Sequence, residues 1–441
     1  MFVNTTQLFA KKFCPSNLFL IFDALNSSTR SLMSVNYQSK RMKKFYKTNW
    51  LFKLKSTVML SAMLFAGTAM AQLSGTYTVN PSGSGTSNYT SFSALATALT
   101  SVSGPVTVNV AAGTYTEQFK LNAITGASST NTITINGGGA TISSGSGAVV
   151  ELNGADYVTI DNLKIVATSS SAAGSRGVWI HNQSDYNTIS GCDISLSAYT
   201  GTSNSTAYVA LSASATGNSS GNHGIGNTIT GNTMHGGTNS VGPYYGIVDY
   251  RTSSSSEAQN TISDNTISDF YYYGAYMYYA RGLQMTGNDI SKNRSDASTV
   301  YGIYTYYGES SNMQFKFNKN DIHDLDGSSV YMGYFYYASG TSTVRSEVMD
   351  NTFTDNTASS YIYGYQAYYS DYISIENNEH GYNEGGSYVY YGFAVNYCDY
   401  ANVKNNDFHN NKAGTYQYYT YRVYYSDNVT MEGNKFRDSE A

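Results

Sequence analysis

From about residue 104 onward, apolar residues alternate with polar ones in short runs, and each run is broken by Asn or Gly. Thr261-Ile262-Ser263-Asp264-Asn265-Thr266-Ile267 and Phe317-Asn318-Lys319-Asn320-Asp321-Ile322 show the form. Val348-Met349-Asp350-Asn351-Thr352-Phe353 and Met431-Glu432-Gly433-Asn434-Lys435-Phe436 repeat it, and Ile160-Asp161-Asn162-Leu163-Lys164-Ile165 and Ile189-Ser190-Gly191-Cys192-Asp193-Ile194 are earlier, weaker copies. Period-2 alternation predicts β-strands, spaced too closely for helices to fit between them. Asn tolerates left-handed backbone and bonds its own main chain, so it suits the sharp corners.

A second signature is locked to the first. Tyr245-Gly246-Ile247-Val248-Asp249-Tyr250 recurs as Tyr273-Gly274-Ala275-Tyr276-Met277-Tyr278 and Tyr301-Gly302-Ile303-Tyr304-Thr305-Tyr306. Met332-Gly333-Tyr334-Phe335-Tyr336-Tyr337, Tyr363-Gly364-Tyr365-Gln366-Ala367-Tyr368, Tyr391-Gly392-Phe393-Ala394-Val395-Asn396 and Tyr419-Thr420-Tyr421-Arg422-Val423-Tyr424 complete the set. The Gly positions step by 28, 28, 31, 31, 28 and 28, with Thr420 as the last. A unit of ~28 residues with about three short strands falls in the solenoid period range. One coil cannot bury its own apolar face, but stacked coils can. The pattern predicts an all-β parallel solenoid of about eleven coils over 104–441.

Residues 72–103 are expected to form an N-terminal cap. Thr90-Ser91-Phe92-Ser93-Ala94-Leu95-Ala96-Thr97-Ala98-Leu99 reads as a short amphipathic helix with Ser91 as N-cap. Val108-Asn109-Val110-Ala111-Ala112-Gly113-Thr114-Tyr115 follows. A capping helix and then a V-x-V-x-x-G-x-Y strand resembles the opening of right-handed parallel β-helix domains, the pectin-lyase-like superfamily, over roughly residues 73–441. The resemblance implies a right-handed parallel β-helix in a secreted or cell-surface protein, and it implies polysaccharide lyase or glycoside hydrolase chemistry as one use of the fold. Activity does not follow from it, because one fold hosts many functions.

Composition agrees with that class. Only 12% of residues are charged, 15% are aromatic, and Tyr (44) and Gly (41) dominate, which excludes a long-helix protein and an ordinary disordered chain. Net charge is −5, but residues 1–71 hold ten Lys or Arg against the single acid Asp23. The remainder therefore has 25 − 10 = 15 basic and 30 − 1 = 29 acidic residues, a net charge of −14. That balance argues against nucleic acid or an anionic membrane as partner.

The basic N-terminus is a separate object. Residues 42–71 read as a secretory signal: a basic stretch from Met42 to Lys55, an apolar core from Val58 to Gly67, and Ala69-Met70-Ala71 as cleavage signal. The apolar core is too short to span a membrane, which needs ~20 residues, so no membrane-spanning segment is expected in the mature chain. Residues 1–41 are expected to be an over-extended, unstructured start. The last repeat shows no polar cap, which predicts truncation from a longer protein with further domains. Cys192 and Cys398 are 206 residues apart, about seven coils, hence ~34 Å along the axis, too far for a disulfide.

Within the Tyr-Gly strand, positions one and three after Gly hold Ile247, Ala275, Ile303, Phe393, Val395 and Val423, which are predicted to face inward. Position four holds Tyr250, Tyr278, Tyr306, Tyr337, Tyr368, Asn396 and Tyr424, predicted to form an outward column, with His181 at the matching place earlier. Position two adds Trp179, Tyr276, Tyr304 and Phe335. Stacked aromatics stabilise a sheet face by ~0.2–1 kcal/mol per pair. They also suit sugars, whose C–H faces pack on rings while phenols supply hydrogen bonds. The length-variable segments Asp321–Met332 and Asn378–Tyr391 precede this strand and are expected to wall the column into a groove. The expected function is a binding or adhesion module that meets a polysaccharide or surface glycan through Tyr250, Tyr276, Tyr278, Tyr304, Tyr306, Tyr337, Tyr368 and Tyr424. The alternatives are a polysaccharide lyase or glycoside hydrolase, and a structural stalk of a larger surface protein.

Asp249 and Arg251 share a face by strand alternation, with Arg281 one coil later. These are the candidate catalytic residues, and a simple ion pair is the plainer account. Asn222-His223-Gly224 suggests a hydrolase histidine, but the accompanying Asp-Asp element is absent. Asp324-Leu325-Asp326-Gly327 could supply oxygens to Ca²⁺, which takes six to eight ligands, although a turn explains the motif as well. No zinc spacing, phosphate-cradling loop or nucleophile elbow is present, and no other cofactor is expected.

Overall fold

A single coil shows how the alternation folds. Thr261–Ser263, Thr266–Ser268 and Tyr273–Tyr278 are three short strands that bury Ile262, Ile267, Ala275 and Met277 and turn the intervening side chains outward. The next coil starts at Gln284, whose strand pairs in parallel with Thr261–Ser263, residue for residue. Repetition gives three parallel sheets of 14, 12 and 13 strands, and Tyr388–Asn396 and Tyr416–Tyr424 extend the third. The molecule is an all-β parallel β-solenoid of about 12 turns, one more than the repeat arithmetic predicts. The computed structural model describes residues 72–440 apart from 171–174, 214–220, 222, 238–241, 254–258, 293, 295–298 and 311. The expected start segment 1–41 and signal segment 42–71 lie outside the described residues.

The first sheet begins at Leu73–Val79, which pairs in parallel with Val102–Val110. The only helix among the described residues, Phe92–Ala98, lies between these strands in sequence. The Ser91 hydroxyl accepts from the Ala94 N–H, and the Phe92 and Ser93 N–H groups donate to the Glu117 carboxylate. These bonds satisfy helix-end donors that would otherwise be orphaned. Phe92 packs edge-on against Tyr115 at 5.1 Å and against Phe119 at 5.0 Å.

The corners between the first and second sheets revise the role expected for Asn. The left-handed φ belongs mostly to the residue before it: Asp264 (56°), Lys319 (57°), Asp350 (57°) and Asn377 (58°). The following Asn265, Asn320, Asn351 and Asn378 are buried. Asn351 Oδ1 accepts from both the main-chain N–H and the side-chain amide of Asn320, while its own amide donates to Phe317 O and Asn378 Oδ1. The column continues through Asn406 to Asn434. Each buried amide is satisfied along the stacking axis, so the corner residue ties coil to coil as well as turning the chain.

The third sheet carries the Tyr-Gly strands, and its register corrects two assignments. Tyr301 pairs with Tyr331, Ile303 with Gly333 and Tyr306 with Tyr336. Met332, not Gly333, therefore stands at the Gly302 level. Tyr336 occupies position four in place of Tyr337, and Phe335 is buried in the core while Tyr334 takes position two. The segments expected to wall a groove are largely strand. Residues 321–332 fall in Asp321–His323 and the 11-residue Asp326–Tyr336, and residues 378–391 in Glu379–Gly381, Glu384–Gly385 and Tyr388–Asn396. Thr357–Tyr368 likewise runs 12 residues along the sheet. Val423, expected inside, is 37% exposed in the last described coil.

Candidate functional site

Outward residues of the third sheet line up into four tyrosine columns. The position-four column runs through Tyr278, Tyr306 and Tyr336, with centroids 5.2 and 4.8 Å apart and planes within 11°. It continues to Tyr368 at 6.1 Å, while Tyr250 meets Tyr278 edge-on at 4.7 Å. At position two, Tyr276, Tyr304 and Tyr334 stack at 5.4 and 5.0 Å. Tyr424 belongs to the same sheet, but in the last described coil its ring meets Tyr425 edge-on at 4.2 Å.

Two columns escaped the sequence argument. The residue before each Gly contributes Tyr273, Tyr301, Tyr331 and Tyr363, stacked at 4.9, 4.6 and 4.1 Å. The residue just past the strand contributes Tyr279, Tyr307, Tyr337 and Tyr369, stacked at 4.5, 4.7 and 5.2 Å. These last residues hold φ between 49° and 58°, an uncommon conformation for a bulky side chain. The Tyr-Tyr doublets at 278–279 and 306–307 are the sequence signal that could have found them. The position-four and past-strand columns meet edge to face, as Tyr306 does Tyr307 at 4.4 Å and 84°, whereas the position-two and position-four rings lie near-parallel, Tyr304 and Tyr306 at 6.4 Å and 12°. Parallel rings 4–5 Å apart exceed ~3.5–4.0 Å carbon contact, so they are offset stacks rather than sandwiches.

From Tyr273 to Tyr369 these outward positions hold Tyr and Gln366, with no formal charge. Most of the rings are half-buried, because each lies against its neighbours. Burial raises the pKa of Tyr276, Tyr304 and Tyr334, and a hydrogen bond to Tyr307 together with burial raises that of Tyr306. The hydroxyls therefore stay protonated well into alkaline pH. At the N-terminal end the same sheet face turns polar. Glu151 accepts from Lys120 at 2.7 Å and bonds His181 at 2.9 Å, and the His181 ring stacks on Trp179 at 3.6 Å. Burial pushes the Glu151 carboxyl up, but His181 and Lys120 together hold it below its ordinary value.

Asp249 and Arg251 do come together, as a buried pair 2.9 Å apart. Asn260 donates to Asp249 and Arg251 donates to Gly224 O, so the pair is tied into the interior. His223 lies beside it, 3.9 Å from Asp249, fully buried, with burial pushing its pKa down to about 4. Arg281 stands apart, its guanidinium 5.8 Å from the Tyr279 ring centroid. The Asp324 carboxylate is engaged by His323 at 2.8 Å, and Asp326 begins a strand. Among the described residues, no group of three or more His, Cys, Asp or Glu is placed to hold a metal ion. No described helix is long and apolar enough to cross a membrane. Cys192 and Cys398 are free and buried, and burial raises both thiols to about 12.

No family model and no curated protein matches the chain. Among solved structures, it is similar to a GH136 lacto-N-biosidase from Eubacterium ramulus, with 13% identity, TM-score 0.48, and coverage of 81% of this chain and 68% of that one. It is also similar to PfbA, a surface adhesin of Streptococcus pneumoniae, with 12% identity, TM-score 0.38, and coverage of 76% and 85%. A third is an alginate lyase from Paenibacillus sp. strain FPU-7, with 14% identity, TM-score 0.34, and coverage of 80% and 99%. Likeness at this level carries no argument about what this chain binds or does.

Proposed function

We propose that the protein is a β-solenoid binding module, secreted or held at the cell surface, whose tyrosine plate meets a polysaccharide. The observation that carries this reading is the uncharged plate from Tyr273 to Tyr369, built from outward residues of successive coils. Rings and hydroxyls together suit a ligand that is apolar at its C–H groups and polar at its hydroxyls. Contiguous exposed aromatic surface is a mark of interaction sites. The test is retention of the full chain on a panel of neutral and acidic polysaccharides, with polymer chain length measured before and after. Retention with intact chains is the expected result. Absence of retention across the panel, with loss of thermal stability in Tyr→Ala variants, would leave the plate as the wall of a stalk.

A catalytic reading has one observation in its favour, the Glu151, His181 and Lys120 cluster on the same sheet face. Shortened polymer chains in that experiment would direct mutagenesis there first. Asp249 and Arg251 are sealed in the interior, where a polymer has no access without local opening.

A further inference from the structure

We infer that the plate fits the face of an ordered, insoluble, neutral polysaccharide rather than one dissolved glycan chain; this rests on the polysaccharide-binding reading and narrows its ligand. The first argument is which part of each ring is available. Tyr304 has Tyr276 on one side at 5.4 Å and Tyr334 on the other at 5.0 Å, both near-parallel. Tyr306 lies likewise between Tyr278 and Tyr336, and Tyr307 between Tyr279 and Tyr337. Stacking partners already occupy the ring faces inside the plate, so a sugar cannot slide onto them. A ligand meets ring edges and a grid of hydroxyls spaced by the coil rise, ~4.8 Å.

Such contacts are individually weak. A hydroxyl bond exchanged with water nets about 0.5–1.5 kcal/mol, whereas association and ordering of a flexible ligand cost about 4–15 kcal/mol. A short dissolved chain spans too few columns to recover that cost. A pre-ordered face presents many chains at once, adds contacts across all four columns, and loses little conformational freedom on binding.

Shape and charge agree. Each ring from Tyr278 to Tyr368 lies within 23° of the plane of its neighbour in the next coil, and side-chain ladders of this kind favour a flat sheet. The segments before the Tyr strands broaden the sheet instead of walling a groove. The four columns themselves carry no charge, with Arg281 lying 5.8 Å from the Tyr279 ring centroid, and residues 72–441 carry a net charge of −14 (15 basic, 29 acidic), which disfavours a polyanion.

The test mixes the full chain with microcrystalline cellulose, crystalline chitin and granular curdlan, with the swollen amorphous form of each, and with alginate gel, and measures unbound protein. At least one ordered neutral particle should deplete the chain ~10-fold more per accessible area than its swollen form, without release by millimolar soluble hexasaccharide of the same sugar. Tyr278→Phe/Tyr306→Phe/Tyr336→Phe, which removes hydroxyls but keeps the stacks, should lower that retention ~10-fold while the chain stays folded, as a cooperative thermal melt shows. Equal retention by the swollen form, or release by the hexasaccharide, overturns the ordered-face inference and leaves polysaccharide binding standing. Retention by alginate alone overturns the ordered-face inference and leaves polysaccharide binding standing; retention by no polymer in either form overturns both.

Discussion

Tyr336 lies over Tyr306 with ring centroids 4.8 Å apart and planes 11° apart, and the next residue, Tyr337, lies over Tyr307 at 4.7 Å and 6°. Two consecutive tyrosines thus feed two different columns, one from the strand and one from the left-handed residue after it. The second column exists because the chain turns where the strand ends and aims the ring back beside its neighbour. The plate is therefore wider than period-2 alternation alone produces.

Stacking and hydrogen bonding by the plate separate experimentally. Tyr306→Phe keeps both ring neighbours and loses the hydroxyl bond to Tyr307, so it should cost no more than about 0.5–1.5 kcal/mol. Tyr306→Ala loses the stacks with Tyr278 and Tyr336, each worth about 0.5–1.5 kcal/mol, and should cost about 1–3 kcal/mol. Thermal melts of the two variants check this.

Asn351→Ala should be more damaging. It leaves the Asn320 N–H and the Phe317 carbonyl without the partners they have now. At about 1–3 kcal/mol per buried orphan, the loss is about 2–6 kcal/mol. Hydrogen exchange should show it first in the coils holding Asn320 and Asn378, because a solenoid is stabilised by nearest-neighbour coils.

The buried pair Asp249 and Arg251 should behave as a unit. Arg251→Met strands a carboxylate in the core and should cost about 3–5 kcal/mol, whereas Asp249→Leu with Arg251→Met should recover most of it. A double-mutant cycle by chemical denaturation gives the coupling. Additive losses would contradict the pairing.

Acid should destabilise the solenoid through two histidines. Burial lowers His223 and His380 from 6.5 to about 4, so between those pH values the unfolded chain holds more protons. Their stabilisation is complete above pH 6.5, falls as pH drops toward 4, and is lost below it. The loss is about 3 kcal/mol for each. His380 sits in register between Phe353 and Phe408, so His380→Phe should keep the packing and flatten part of the pH dependence. An unchanged slope between pH 6.5 and 4 would contradict this.

Strand and corner were legible because inward pairs such as Ile262 and Ile267, Met285 and Ile290, and Phe317 and Ile322 recur five residues apart in coil after coil, as one shared interior requires. The coil at 326–337 was misread because Met332-Gly333 imitates Tyr-Gly, and only the pairing of Tyr301 with Tyr331 fixes its level. The segment before it contains Gly327, Ser328 and Ser329, which look like loop residues and are strand here. The buried Asn column was hidden for another reason. A corner Asn that bonds its own turn and one that bonds the next coil have the same sequence, and the choice is made by the axial neighbour that only stacking supplies.

The central claim is that the plate from Tyr273 to Tyr369 is the binding face, and tyrosine nitration mapped by mass spectrometry tests it most directly. The full chain is nitrated free and while bound to the polysaccharide that retains it. Tyr278, Tyr306, Tyr336, Tyr337 and Tyr369 should be protected by the bound polymer, while Tyr186 and Tyr382, exposed and in none of the four columns, react as before. Protection of Tyr186 or Tyr382 with unchanged nitration of the plate would contradict the account.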